Sequence, residues 1–179
     1  MPTIFSHAVC ATAVGYAYAS DRMPARFWVL TALCSMLPDA DVVGFAFGIR
    51  YSDMFGHRGF SHSILFAIIV GCLVSLSAFR EKRDRLMLYF TLITLSHPLL
   101  DMLTDGGLGV ALFAPFSAKR YFFPWRPIEV SPIGAGFFSS RGLEVFASEL
   151  IWVWLPSLAV ALIAYICRRF WRTSPAARS

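Results

Sequence analysis

Charge is scarce in this sequence. Only 15% of its 179 residues are Asp, Glu, Lys or Arg, against roughly a quarter in ordinary soluble domains. Hydrophobic residues make up 57% and mean hydropathy is +0.61. That shortage argues against a water-soluble domain and for a polytopic membrane protein. Paired cysteines are also missing. Cys10, Cys34, Cys72 and Cys167 each lie alone in an apolar run, with no CxxC pair. Zinc-thiolate and redox chemistry are thereby disfavoured, and the thiols read as small buried hydrophobes. No Lys or Arg precedes the first apolar stretch, the first being Arg22. A cleaved signal would carry a positive leading region, so residues 1–20 are expected to stay in the mature fold. There is no internal repeat.

What the chain does have is a net charge of +5, a pI near 9.3, 17 Phe and 5 Trp. In a soluble protein such basicity would suggest nucleic acid. Here the basic residues cluster at the ends of apolar runs, so they read as orientation signals, and no nucleic-acid partner is expected.

The apolar pattern predicts about five helices. Ile4–Ser20 is small and apolar around His7, which suits close helix packing. Phe27–Leu37 is stopped by Pro38, and Asp39-Ala40-Asp41 reads as a loop before a further greasy piece, Val42–Ile49. Arg50–Phe60 is polar. Ser61 or Ser63 is placed to cap a third helix running to about Phe79. After the charged turn Arg80–Arg85 comes a fourth helix, Leu86–Leu100, with glycines at 106, 107 and 109 beyond it. Residues 108–144 are rich in Pro, Gly and aromatics and read as a long surface loop. Val145–Cys167 is the clearest spanning helix, closed by Arg168–Arg172. Residues 173–179 read as a disordered tail.

Placing Arg80–Arg85 and Arg168–Arg172 in the cytoplasm sets the topology. His7 then opens helix one, Asp39 and Asp41 end helix two, His57 and His62 open helix three, and His97 and Asp101 end helix four, all outside. Every histidine falls on one side of the membrane.

His97-x-x-x-Asp101 is one helical turn and shares a face. Imidazole with carboxylate suits Zn²⁺, Mn²⁺ or Fe²⁺, although a helix-ending His and Asp can also cap or pair with each other. Thr104 extends the same face as a supporting partner. Asp39 and Asp41 offer two carboxylates, one to bind metal while the other bridges, orients a histidine or acts as base; a plain polar turn is the alternative. His57-Arg58-Gly59-Phe60-Ser61-His62-Ser63 is the sharpest local signal. His57 and His62 both face inward if His57 ends the loop and His62 lies in the first turn. Arg58 brings a planar fork suited to a phosphate or an oxyanion. His7 on a small-residue helix reads alone as a packing residue, and joins the set only through the others. Arg120 and Arg126 lie among aromatics, where they either anchor the interface or recognise a phosphate group. Glu129 and Glu149 have no assigned role.

Taken together, His7, Leu37-Pro38-Asp39-Ala40-Asp41, the His57–Ser63 stretch and Ser96-His97-Pro98-Leu99-Leu100-Asp101 with Thr104 and Gly106 resemble the membrane-bound metal-dependent hydrolases. These are the YdjM-like, LexA-regulated proteins of the bacterial inner membrane. Pro115-Phe116, Lys119–Phe122 and Pro124–Pro127 carry the likeness further, to about residue 155. The histidine and aspartate order is also similar to that of the zinc-dependent phospholipase C and single-strand nuclease fold, a likeness at the level of fold.

The expectation is therefore one all-α integral-membrane domain, a multi-pass bundle of about five helices with a long extracytoplasmic loop. It holds one or two Zn²⁺ ions on His7, Asp39, His57, His62, His97 and Asp101, with Mn²⁺ or Fe²⁺ as alternatives. Asp39, Asp41, Arg58 and Asp101 carry catalysis, and Arg58, Arg120 and Arg126 bind substrate. The substrate class is a phosphoester, with membrane lipid as a partner and lipid headgroups as one source. A non-catalytic metal-binding or transport component is the alternative. Nothing in the sequence fixes the oligomeric state.

Overall fold

The computed structural model describes residues 1–19, 22–132 and 138–173. Helix α1 spans Ile4–Tyr18, α2 Ala25–Met36, α3 Ile64–Ala78, α4 Arg83–Asp101, α5 Ser140–Glu149 and α6 Leu155–Thr173. Two 3-10 segments, Leu37–Phe47 and Phe60–His62, follow α2 and precede α3, and a π turn, Leu150–Trp154, joins α5 to α6. No strand occurs among the described residues. Isolated bridges Thr104↔Ile128 and Val110↔Tyr121 pin the long connection down. Residues 174–179 of the expected tail, and Asp21 of the first turn, lie outside the described residues.

Pro38 does not end the second helical stretch. It sits in the first turn of a 3-10 helix that continues α2, where its fixed φ is compatible with helical winding. Asp39 and Asp41 therefore stand on a tight helix rather than a loop. Of the two candidate caps for α3, Ser63 takes the role, its Oγ accepting from the Phe66 amide at 3.1 Å.

Helices α3 and α4 approach closely at Gly71, where a Cβ would lie 2.1 Å from Thr91 Oγ1. Phe27, Phe90, Ile93, Val70, Leu86 and Ala11 form the core. Tyr89 stacks between Tyr18 and Phe27 at centroid distances of 4.5 and 4.9 Å, and its hydroxyl meets Thr31 Oγ1 at 2.9 Å. Most of this apolar packing lies toward the Arg80–Arg85 turn. The opposite end, where α1 and α3 begin and where α2 and α4 finish, is left for polar side chains.

Among the described residues, two helical stretches are long and apolar enough to cross a bilayer, Ala25–Phe47 with 23 residues and Ser140–Trp171 with 32. Only 11% of the most apolar window of the latter is buried in the protein, so Leu158, Leu162 and Ile163 face outward. The sequence reading expects about five crossings. Helix α3, at 15 residues, falls short of the roughly 20 that a perpendicular crossing needs, and α4 opens with Arg83, Asp84 and Arg85. The all-helical class holds.

Candidate metal centre

The four element ends at the polar end of the bundle each deliver one or two titratable side chains. The first turns of α1 bring His7, the 3-10 segment after α2 brings Asp39, the turn before α3 brings His62, and the last turns of α4 bring His97 and Asp101. All five are buried. One donor atom from each of Asp39, His62, His97 and Asp101 lies within 4.8 Å of the others. His62 Nε2 stands 3.1 Å from His97 Nε2, 3.7 Å from Asp39 Oδ1 and 3.4 Å from Asp101 Oδ2. His97 Nε2 is 3.3 Å from Asp39 Oδ1. At the rim, His7 stacks on His97 with centroids 3.6 Å apart and its Nε2 lies 3.6 Å from Asp101 Oδ1.

The tautomers follow from the outer partners. His97 Nδ1 donates to the Ser35 carbonyl at 2.7 Å. His62 Nδ1 faces Asp41 Oδ2 at 3.2 Å and Ser61 Oγ at 3.0 Å. Both Nε2 lone pairs then point at each other, which is repulsive unless a cation lies between them. Two ligands at about 2.0 Å from a tetrahedral ion sit about 3.3 Å apart, close to the spacing observed. Both oxygens of Asp39 and both nitrogens of His7 are buried without a hydrogen-bond partner, while Asp101 Oδ2 is ion-paired with Arg58 Nε at 2.9 Å. Orphaned buried groups of this kind are costly. Three carboxylates, Asp39, Asp41 and Asp101, face one buried arginine, Arg58, so the cluster carries an excess of negative charge. Without metal, a proton on His62 offsets part of that excess: burial disfavours its cation, but Asp101, Asp39 and Asp41 outweigh that and push its pKa up to about 10. The donor set, the excess negative charge and the spacing all fit a divalent ion.

The YdjM inner membrane protein family matches residues 1–174. The chain belongs to that family. It is also similar to the inner membrane protein YbcI of Escherichia coli (strain K12), 40% identical over 173 residues that cover 94% of this chain and 100% of YbcI. No solved structure matches.

In this YdjM-family chain Asp41 stands behind the cluster. Its oxygens accept from His57 Nδ1 at 2.7 Å, the Arg58 amide at 3.1 Å and Ser61 Oγ at 2.6 Å, besides His62. His57 is thereby tied to Asp41, edge-on to His62 with centroids 5.5 Å apart. Arg58, wholly buried, lays Nε against Asp101 Oδ2 at 2.9 Å and donates to Thr104 Oγ1 and the Gly106 carbonyl, each at 3.0 Å. Thr104 Oγ1 in turn donates to the Asp101 carbonyl at 2.7 Å. Gly107, at φ 88°, leaves room for the guanidinium: a Cβ there would lie 2.9 Å from Arg58 Nη1.

Arg120 and Arg126 do not join the cluster. The Arg120 guanidinium donates to the carbonyls of Tyr51, Asp53, His57, Arg58 and Gly109, stapling two loops together. Arg126 is exposed and stacks over Phe122 at 4.9 Å. Sequence reasoning missed Ser35, which acts through a backbone carbonyl and so leaves no side-chain signal. It also missed the partners of Glu149, which come from the other end of the chain.

Proposed function

We infer that this protein is a multi-pass, membrane-bound metal-dependent hydrolase of phosphoesters, with lipid headgroups as one source of substrate and its site on the extracytoplasmic side. The observation that carries this reading is the convergence of His62, His97, Asp39 and Asp101 around one point, with both Asp39 oxygens unpartnered, beside a buried arginine. Membership of an inner membrane family supports the location.

Asp39, His62, His97 and Asp101 would hold one ion, with His7 at the rim. Zn²⁺ suits this mixed nitrogen and oxygen set best, with Mn²⁺ or Fe²⁺ next. Asp41 serves as orienting partner rather than ligand to a second ion, because its oxygens already accept from four donors. When bound, such an ion supplies Lewis acidity and makes water acidic near neutral pH. Asp39, holding the ion through Oδ1, which faces His62 and His97, would accept the proton on Oδ2, which has no hydrogen-bond partner. Asp41 keeps the His62 ring fixed through Nδ1, and Ser35 does the same for His97. Arg58 places permanent positive charge where anionic oxygens of a phosphoester gather. Purified protein in a bilayer, loaded with Zn²⁺ and offered a panel of phosphodiesters and phospholipids, should show turnover that chelation abolishes. Metal binding with no turnover on any member would sink the hydrolase.

One observation favours the second reading, a non-catalytic metal-holding or transport component. Each of the five converging residues is at most 4% exposed, which suits an ion held away from substrate. The same panel separates the two.

The orientation rests on the basic turn Arg80–Arg85 and on Arg168, both at the end of the bundle opposite the cluster. A reporter fused after Ser179 should read as cytoplasmic, and one inserted between Ser117 and Ala118 as extracytoplasmic. The reverse pattern would move the site to the cytoplasmic face.

A further inference from the structure

Glu149 is a fully buried acid in the helix read as the clearest membrane span, and the chemistry above gives it no part. It lies at the C-terminal end of α5 and faces the start of α1, 146 residues away in sequence. Its Oε2 accepts from Thr3 Oγ1 and from Ser6 Oγ, each at 2.6 Å, and its Oε1 accepts from the Thr3 amide. Thr3 is the N-cap residue of α1, yet its own side chain caps nothing. A helix start leaves backbone donors unpaired and carries partial positive charge. Glu149 supplies the cap in its place, from the far end of the chain.

The local geometry of the last helix is built around this contact. A π turn follows Glu149 directly, running Leu150–Trp154. In an α-helix, residues five apart point in different directions, whereas the i→i+5 winding of a π turn aligns them. Glu149 and Trp154 are five apart, and both reach Ser6: Trp154 Nε1 donates to Ser6 Oγ at 2.8 Å. Such bulges recur at functional sites.

Ser6 is the neighbour of His7. His62 and His97 are each oriented by a hydrogen bond from Nδ1. Neither ring nitrogen of His7 has a hydrogen-bond partner. Its ring is placed by the stack on His97 and by where α1 begins. We propose that Glu149 is a positioning residue for the metal centre: capping α1 from the last helix, it sets the depth and rotation of the helix start and so holds His7 against His97 and Asp101. This rests on the metal-centre reading for its consequence, but the placement of His7 can be observed without metal.

The test uses the full chain in a bilayer and compares Glu149→Gln, His7→Ala and the double variant. Glutamine keeps the size but replaces one accepting oxygen with an NH₂ that cannot accept. Zn²⁺ affinity should fall about 10- to 100-fold in Glu149→Gln, the range for loss of a residue that orients a ligand. The double variant should bind no more weakly than His7→Ala, because Glu149 acts through His7. Trp154→Phe, which removes one donor from the network and leaves the carboxylate in place, should shift affinity the same way by less. In the metal-free proteins, the ring-carbon resonance of His7 should move in Glu149→Gln as the stack on His97 loosens, while that of His57 stays. Affinity losses that multiply in the double variant, or a His7 resonance identical to wild type, would overturn the proposal. A wild type that binds no metal, with the His7 resonance still moved by Glu149→Gln, would overturn the metal centre and leave the positioning role standing.

Discussion

Replacing His97 by alanine should strip the protein of its metal and of any turnover with it. His97 is the most constrained ligand candidate. Its Nδ1 is fixed on the Ser35 carbonyl, its face is covered by the His7 ring, and its Nε2 is within 3.3 Å of both His62 Nε2 and Asp39 Oδ1. Alanine removes one donor and the platform for a second. It also leaves Asp39 facing one histidine instead of two. Metal analysis of purified wild type should give about one equivalent of a divalent ion, as a four-donor site implies, and His97→Ala close to none. His57→Ala provides the contrast. His57 is bound to Asp41 and lies edge-on to His62 without entering the four-donor set, so its loss should lower affinity about 10- to 100-fold without emptying the site at saturating metal. Full metal content in His97→Ala would dismiss the centre altogether.

The second large effect belongs to Arg58. Its guanidinium is wholly buried, and three of its donors are engaged by Asp101, Thr104 and the Gly106 carbonyl. Truncating one member of a buried ion pair leaves the other charge uncompensated, at a cost of about 3–5 kcal/mol. Arg58→Ala should therefore lose stability as well as activity, with activity in the surviving folded fraction down roughly 100-fold or more if the residue also stabilises developing charge. Arg58→Lys keeps the charge and loses the fork. A single ammonium can hold Asp101 or reach Thr104 and Gly106, but its point charge does not reproduce the planar array. It should fall between wild type and alanine in both readouts. Denaturant midpoints in a fixed detergent, taken beside metal content, separate the two roles. Equal stability in all three proteins would show that Arg58 does not carry Asp101. Unchanged turnover would remove the main local support for an anionic substrate.

The sequence by itself determined the helical class and the membrane setting, and it singled out the polar residues that the structure gathers at one end of the bundle. Hydropathy is a local property, and ionisable groups set beside apolar runs are conspicuous because burying them there is costly. The expectation that all four histidines share one side rested on counting crossings and basic turns; the structure brings their rings into contact at one end of the bundle. Where the reading stopped was the division of labour inside the set. Asp39 and Asp41 are two residues apart on what reads as a polar loop. Only the 3-10 winding after Pro38 turns Asp39 toward His97 and sends Asp41 back to His57, Ser61 and His62. Arg58, Arg120 and Arg126 are alike as charges in sequence, yet tertiary packing gives them three different tasks: one pairs with Asp101, one staples loop carbonyls, and one stacks over an exposed ring. Glu149 is the plainest case. An acid in an apolar helix announces a partner without naming it, because its partners, Thr3 and Ser6, meet it only when the first and last helices lie side by side. Side-chain direction depends on how helices are wound and docked over long sequence separations, and that information is absent from any local window of the chain.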